Sequence, residues 1–217
     1  MATLHYIYDP YCGWCHGAAP LLSAARALPG LALALHGGGM LAGTRRRLVS
    51  PQWRTYVMPH DQHIARLTGQ PFGEAYANGL LCEDGALFDS APPTAAVRAA
   101  EFMGGRGADM LARLQHAHFV EGRRISEPGV LRELACGLGL EPRAFERALQ
   151  AYSGAALEQH IRDTERLLSQ SGGRGFPTFL LEQPATLERL DHAPFLGRPA
   201  AFAQVLVERL GSAALSA

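Results

Sequence analysis

Two cysteines three residues apart, in the segment Cys12-Gly13-Trp14-Cys15, carry the strongest chemical implication in this sequence. If a helix starts at the first of them, its sulfur lies beside unpaired backbone N–H groups and the positive end of the helix dipole. Such a site favours the thiolate, which is the attacking species in thiol–disulfide exchange. The second sulfur, one turn further on, can close a disulfide and release a substrate from the mixed intermediate. The spacing therefore makes Cys12 the exposed nucleophile and Cys15 the buried resolving thiol. Gly13 and Trp14 between them tune how readily that disulfide forms. Trp14 offers either a flat apolar contact to a peptide or a lid over the helix start.

The competing use of such a pair is half of a zinc site, which needs four ligands, usually from two knuckles. Cys82 and Cys136 stand alone, and His60 with His63 sits in a weakly patterned region, so the ligand set is incomplete and no metal is expected. Cys82 and Cys136 read as buried small apolar residues. None of the nine histidines acquires a catalytic role from its spacing. His16, beside Cys15, reads as an outward-facing helix residue. Pro177 is the other informative position. A proline cannot donate to a strand ladder, and X-Pro bonds are where cis peptides occur. Its place after a long helical stretch and before the closing elements suggests a loop facing the cysteines.

The elements that must hold these residues can be read from pattern. Leu4 to Tyr8 is rich in β-branched and aromatic residues and ends at Asp9-Pro10, as a buried strand does. A helix runs from about Gly13 to Leu28, with a kink expected at Pro20. Leu31 to His36 forms a second strand that breaks at Gly37-Gly38-Gly39. The middle, about residues 44 to 172, is helical. Leu131, Leu134, Ala135 and Leu138 form a stripe with Ser126 as N-cap and Pro128 in the first turn. Leu157, Ile161, Thr164 and Leu168 form another, Met110 or Leu111 with Leu114 and His118 a third, and Pro92-Pro93 opens a fourth. Gln52 to Leu67 is a weaker helix, interrupted by Pro59. Phe176 to Leu181 is a short strand, Ala185 to Leu190 its hairpin partner, and Pro199 to Leu210 a final amphipathic helix. The order β-α-β, helical block, β-β-α is that of an α/β, thioredoxin-like core split by a large helical insertion. Residues 1–43 and 173–217 form the core and 44–172 the insertion, whose last helix can equally be counted with the core.

Composition narrows the function classes. The chain has 217 residues, of which 47% are hydrophobic and 18% charged, an ordinary globular balance. Basic and acidic residues cancel at 20 each, so no long-range field favours nucleic acid or an anionic membrane. Every basic residue is Arg, which removes lysine Schiff-base chemistry and a P-loop lysine. No apolar run reaches the ~20 residues of a membrane helix, and Met1-Ala2-Thr3-Leu4-His5 lacks the features of a secretory leader. A cytoplasmic protein is expected. In a reducing compartment a lone cysteine pair is catalytic or metal-binding rather than structural.

Tyr8-Asp9-Pro10-Tyr11-Cys12-Gly13-Trp14-Cys15 and Gly175-Phe176-Pro177-Thr178-Phe179 together resemble the DsbA family of thioredoxin-fold proteins. More narrowly, they resemble its cytosolic group of predicted protein-disulfide isomerases. Ile125-Ser126-Glu127-Pro128 followed by Leu131 is similar to the family's helical insert. The resemblance implies a cis peptide before Pro177, set against the Cys12 sulfur, with Phe176 offering backbone hydrogen bonds to an extended substrate. It implies a protein-disulfide oxidoreductase or isomerase acting on protein or small-molecule disulfides and dithiols. It implies no bound cofactor, with glutathione as a candidate redox partner. Periplasmic members carry Pro-His where this chain has Gly-Trp, a departure that argues against a strongly oxidising pair. Two other readings stay open. One is a glutathione-dependent transferase or isomerase, resembling the kappa-class transferases and hydroxychromene-carboxylate isomerases, against which the second cysteine argues. The other is a peptide-binding or chaperone-like protein using the groove between core and insertion.

Overall fold

The computed structural model describes residues 2–214. Met1 and residues 215–217, at the two ends of the outlined core, lie outside the described residues. Strand β1 (Ala2–Tyr8) is followed by α1 (Gly13–Gly17), α2 (Ala19–Arg26) and β2 (Leu31–Gly37), and β2 pairs with β1 in parallel, Ala2 opposite Leu31 and Tyr8 opposite Gly37. Near the other end of the chain, β5 (Thr178–Gln183) and β6 (Thr186–Leu190) form a hairpin. β5 runs antiparallel to β1, with Ile7 opposite Thr178, and the sheet order is β2-β1-β5-β6. β1 is therefore central, which is why its Leu4, Tyr6, Ile7 and Tyr8 are all fully buried. Because Ile7 pairs with Thr178, the end of β1 and the residues just before β5 meet at one edge of the core. The sheet thereby brings two segments more than 160 residues apart to the same place.

Between β2 and β5 lie α3 (Pro51–Thr68), α4 (Ala91–Phe102), α5 (Gly107–Phe119), α6 (Pro128–Gly137), α7 (Pro142–Ala151) and α8 (Ala155–Gln170), with a two-residue ladder β3 (Arg47–Leu48) to β4 (Leu87–Phe88). α4 is the hub, packing against α5, α6, α7 and α8. Its buried residues Ala95, Ala96, Ala99 and Ala100 are small enough to let neighbouring backbones approach. α8 packs on both β2 and α4, and α9 (Pro199–Ala214) packs on α2.

Several expectations are corrected. The helix after the motif is two helices: α1 ends at Ala18, and Pro20 lies in the first turn of α2, where a missing N–H costs nothing. α3 is continuous through Pro59, because its buried stripe outweighs one lost backbone bond. Ser126 does not cap α6. Glu127 holds that position without a side-chain bond, and the Ser126 hydroxyl donates instead to the Leu87 carbonyl at 3.1 Å. α7 carries no expectation from the sequence reading. It starts with Pro142 after Glu141, whose carboxylate accepts the N–H groups of Arg143 and Ala144. Cys82 and Cys136 are exposed. His16 is buried, its ring stacked on Phe119 at 4.9 Å and its Nε2 2.9 Å from the Pro71 carbonyl; burial holds its pKa below the ordinary value.

Candidate active site

The motif loop is built around Asp9, at the end of β1. Its carboxylate is fully buried and accepts three hydrogen bonds: Tyr11 N–H (2.9 Å) and the Ser90 hydroxyl (2.9 Å) on Oδ1, and Met40 N–H (2.6 Å) on Oδ2. It thus ties the cysteine loop to the segment after β2 and to the start of α4. Burial pushes Asp9 up to about 6 in spite of these bonds. The Asp9 carbonyl also accepts the Cys12 N–H at 3.1 Å, closing the turn that delivers Cys12 to the start of α1.

Cys12 is the N-cap of α1, and its Sγ accepts the Cys15 N–H at 3.3 Å. The sulfur itself takes the place usually filled by a serine or aspartate oxygen at a helix start. On its other side the Cys12 thiol donates to the Phe176 carbonyl at 3.5 Å. The peptide from Phe176 to Pro177 is cis. Cys15 is fully buried, and burial, with the Cys12 sulfur beside it, holds its thiol well above the ordinary value. The Tyr6 hydroxyl donates to the Cys15 carbonyl at 3.3 Å, fastening α1 to the sheet. Cys12 is only 6% exposed, so the reading of it as an exposed residue is corrected: it is reached through a cleft.

That cleft, about 600 Å³, is bordered by Cys12, Trp14, Trp53, Tyr56, Phe88 and Asp61. A second hollow of about 340 Å³ holds Phe176, Pro177, Arg174, Arg189 and His192. Trp14 lines both, and its indole meets the His63 ring edge-on at 5.7 Å. It divides the two hollows.

Glycines set the spacing of this region. An added Cβ on Gly13 would meet Asp61 Oδ1 at 2.8 Å, and one on Gly17 would meet Ile64 Cγ2 at 2.7 Å. Four residues apart, these glycines form the face of α1 that lies against α3. The run Gly37-Gly38-Gly39, read from sequence only as a strand end, does similar work. A Cβ on Gly37 would strike Thr94 at 2.2 Å, on Gly38 the Phe176 ring at 2.1 Å, and on Gly39 Ile161 at 2.7 Å. The Phe176 ring thus rests on bare backbone at Gly38, and that seat holds its carbonyl beside Cys12.

The structure brings Cys12, Gly13, Trp14, Cys15, Phe176 and Pro177 together around the start of α1. Sequence reasoning missed Asp9, Gly38 and Asp61 as parts of the site. For Asp61 a signal existed. Trp53, Val57, Asp61, Ile64 and Thr68 follow helical spacing, and a carboxylate stands in the middle of that inward face. Among the described residues, no group of three or more His, Cys, Asp or Glu side chains could hold a metal ion, and no helix is long and apolar enough to cross a membrane.

Against known proteins, the model of the DSBA-like thioredoxin domain family matches residues 3–192. Among solved structures, the cytosolic disulfide reductase DsbM from Pseudomonas aeruginosa is 53% identical, with a TM-score of 0.91, 96% of this chain covered and 98% of that one. The same enzyme with GSH matches at 52% identity and a TM-score of 0.89, with the same coverage of each chain. A candidate protein disulfide isomerase from Nitrosomonas europaea shares the fold at 23% identity and a TM-score of 0.78, with 97% of this chain and 98% of that one covered. No curated protein sequence matches the chain.

Proposed function

The chain belongs to the DSBA-like thioredoxin domain family and is a thiol–disulfide oxidoreductase, and from that premise we propose that it works as a cytoplasmic disulfide reductase in which Cys12 attacks and Cys15 resolves. One observation carries this reading. The Cys12 sulfur caps α1 and accepts the Cys15 N–H at 3.3 Å, at the edge of a cleft large enough for a substrate.

The Cys12 sulfur attacks one sulfur of a substrate disulfide. The substrate S–S bond breaks, its electron pair and one proton go to the departing thiol, and a mixed disulfide remains on Cys12. Cys15 then gives up its proton and attacks the Cys12 sulfur, releasing the second substrate thiol and leaving a Cys12–Cys15 disulfide. Until that second step, burial keeps Cys15 protonated and unreactive, which assigns the two sulfurs different roles. Phe176 supports an extended substrate through its backbone, Pro177 holds that loop against the motif, Gly13 admits α3, and Trp14 walls both hollows.

Glutathione is the proposed reductant that returns the disulfide to the dithiol, two molecules leaving as glutathione disulfide, and no resident cofactor takes part. Its support is the relative whose structure contains GSH. The cytoplasmic placement is supported by the name of that relative. Protein or small-molecule disulfides are the substrates. Insulin reduction is expected to vanish in Cys12→Ser, while Cys15→Ser accumulates mixed disulfides on Cys12. Insulin reduction that survives Cys12→Ser overturns the assignment.

A further inference from the structure

The mechanism leaves unassigned the proton that the departing substrate sulfur requires. Asp61 lies in the right place to supply it. It sits on α3, is only 6% exposed, and borders the same cleft as Cys12. Its Oδ2 accepts the Tyr76 hydroxyl at 2.9 Å. Its Oδ1 lies against Gly13, so near that a Cβ there would come within 2.8 Å. The residue that follows Cys12 thus has no side chain, and a carboxyl group occupies the vacated space. The Tyr76 bond fixes one oxygen and leaves the other toward the motif. A carboxylate among the inward-facing Trp53, Val57, Ile64 and Thr68, with no cation paired to it among the bonds it makes, is unusual enough to require a role.

We propose that Asp61 is the acid of the exchange reaction, donating its proton to the sulfur that leaves when Cys12 attacks a substrate disulfide. The inference rests on Cys12 as the attacking sulfur. As the Cys12–substrate bond forms and the substrate S–S bond breaks, the electron pair moves to the departing sulfur, and the Asp61 proton follows it. Asp61 is left as a carboxylate that the Tyr76 hydroxyl stabilises, and solvent restores its proton. In the reverse direction the same carboxylate accepts the proton of an incoming thiol.

The surroundings agree with that task. Burial raises Asp61 to about 6, the Tyr76 bond and His60 on its own helix opposing. Besides His60 and Tyr76, the titratable and charged groups bordering the cleft are Tyr11 and the Cys12 thiol from the motif loop, the Arg47 guanidinium from β3, Tyr56 from α3 and His118 from α5, which burial lowers to about 3 and so keeps neutral. A carboxyl with that value carries a proton in a useful fraction of molecules near neutral pH, as a general acid must.

The test uses two disulfides with different leaving groups in single-turnover reactions of the reduced full chain. An aliphatic thiolate needs a proton as it departs, whereas an electron-poor aromatic thiolate leaves unprotonated. Asp61→Asn preserves the acceptor for Tyr76 and the volume beside Gly13. It is expected to slow reduction of glutathione disulfide by about a hundredfold and that of 5,5′-dithiobis(2-nitrobenzoate) by less than about threefold. Tyr76→Phe, which removes the bond that lowers Asp61, is expected to move the pH inflection of the aliphatic reaction upward. Equal slowing of both substrates, or slowing of neither, overturns the role of Asp61. Cys12→Ser, run beside it, reports on the underlying reading separately: if it still reduces both disulfides, Cys12 is not the nucleophile.

Discussion

Replacing Gly38 with alanine tests how the Cys12 sulfur is matched to the Phe176 carbonyl. The new Cβ would lie 2.1 Å from two carbons of the Phe176 ring. Carbon atoms rest at roughly 3.5–4.0 Å, so the ring must retreat by about 1.4 Å or more. The Gly38 backbone needs no special conformation, and its N–H bond to the Tyr8 carbonyl at 2.8 Å is unaffected, so the cost is steric. Overpacking of this kind destabilises by about 1–3 kcal/mol. The alanine returns about 0.4–1 kcal/mol by restricting the unfolded chain, leaving a net loss of about 1–2 kcal/mol. The effect on exchange should be larger. The carbonyl now 3.5 Å from Cys12 Sγ follows the ring, and displacements near 1 Å cost about a hundredfold in rate. Urea unfolding gives the first quantity and single-turnover insulin reduction the second. A double-mutant cycle with Phe176→Ala isolates the contact: once the ring is gone, Gly38→Ala should cost almost nothing in stability, giving a coupling of about 1–2 kcal/mol. If Gly38→Ala alone is as stable and as fast as the parent, or costs the same in both backgrounds, the reasoning fails.

Acidification should destabilise the protein through its buried histidines. Burial lowers His118 to about 3 and His36 and His160 to about 4, whereas it raises Asp9 and Asp61 to about 6. As pH falls below ~6.5, the unfolded chain takes up protons that the three folded histidines refuse; between pH 6 and 4 the two folded aspartates take up protons that unfolded ones refuse. For these five groups, three against two leaves a loss of about 3 kcal/mol across that window, read from urea midpoints, and His16 and His192, which burial also lowers, act in the same direction. His118→Phe keeps an aromatic ring among Tyr11, Tyr76, Phe88 and Phe119 and should gain about 2 kcal/mol at pH 5 relative to its value at pH 7; an unchanged pH slope contradicts this. Asp9→Ala strands the N–H groups of Tyr11 and Met40 and should cost about 3 kcal/mol or more by urea unfolding, with a loss below ~1 kcal/mol counting against its anchoring role.

The parts of the site that sequence revealed are those with local signatures. Cys12 and Cys15 announce themselves by spacing, and Pro177 by standing where a strand should begin. The β-α-β opening and the closing hairpin were legible because Leu4–Tyr8 and Phe179–Leu181 are dense in strand-forming residues. Gly38 was legible only as a break. Its purpose depends on a ring 138 residues away, and nothing local encodes that contact. Asp9 looked like a strand terminator because the donors that satisfy it come from Met40 and Ser90, far along the chain. His16 looked exposed because one side of a short helix is normally wet. Here α5 and the loop at Pro71 cover it, with Phe119 against its ring. Cys82 and Cys136 looked buried from residue type alone, which records an average and not a location.

Those two exposed cysteines supply an internal standard for the central claim, that the start of α1 makes the Cys12 sulfur the attacking one. The reduced protein is treated with a limiting amount of iodoacetamide, and the label on each cysteine is followed by mass spectrometry. Cys12 is expected to be modified first, ahead of the freely accessible Cys82 and Cys136 and although it is itself nearly buried, with Cys15 last. Labelling of Cys82 or Cys136 ahead of Cys12 would contradict the account.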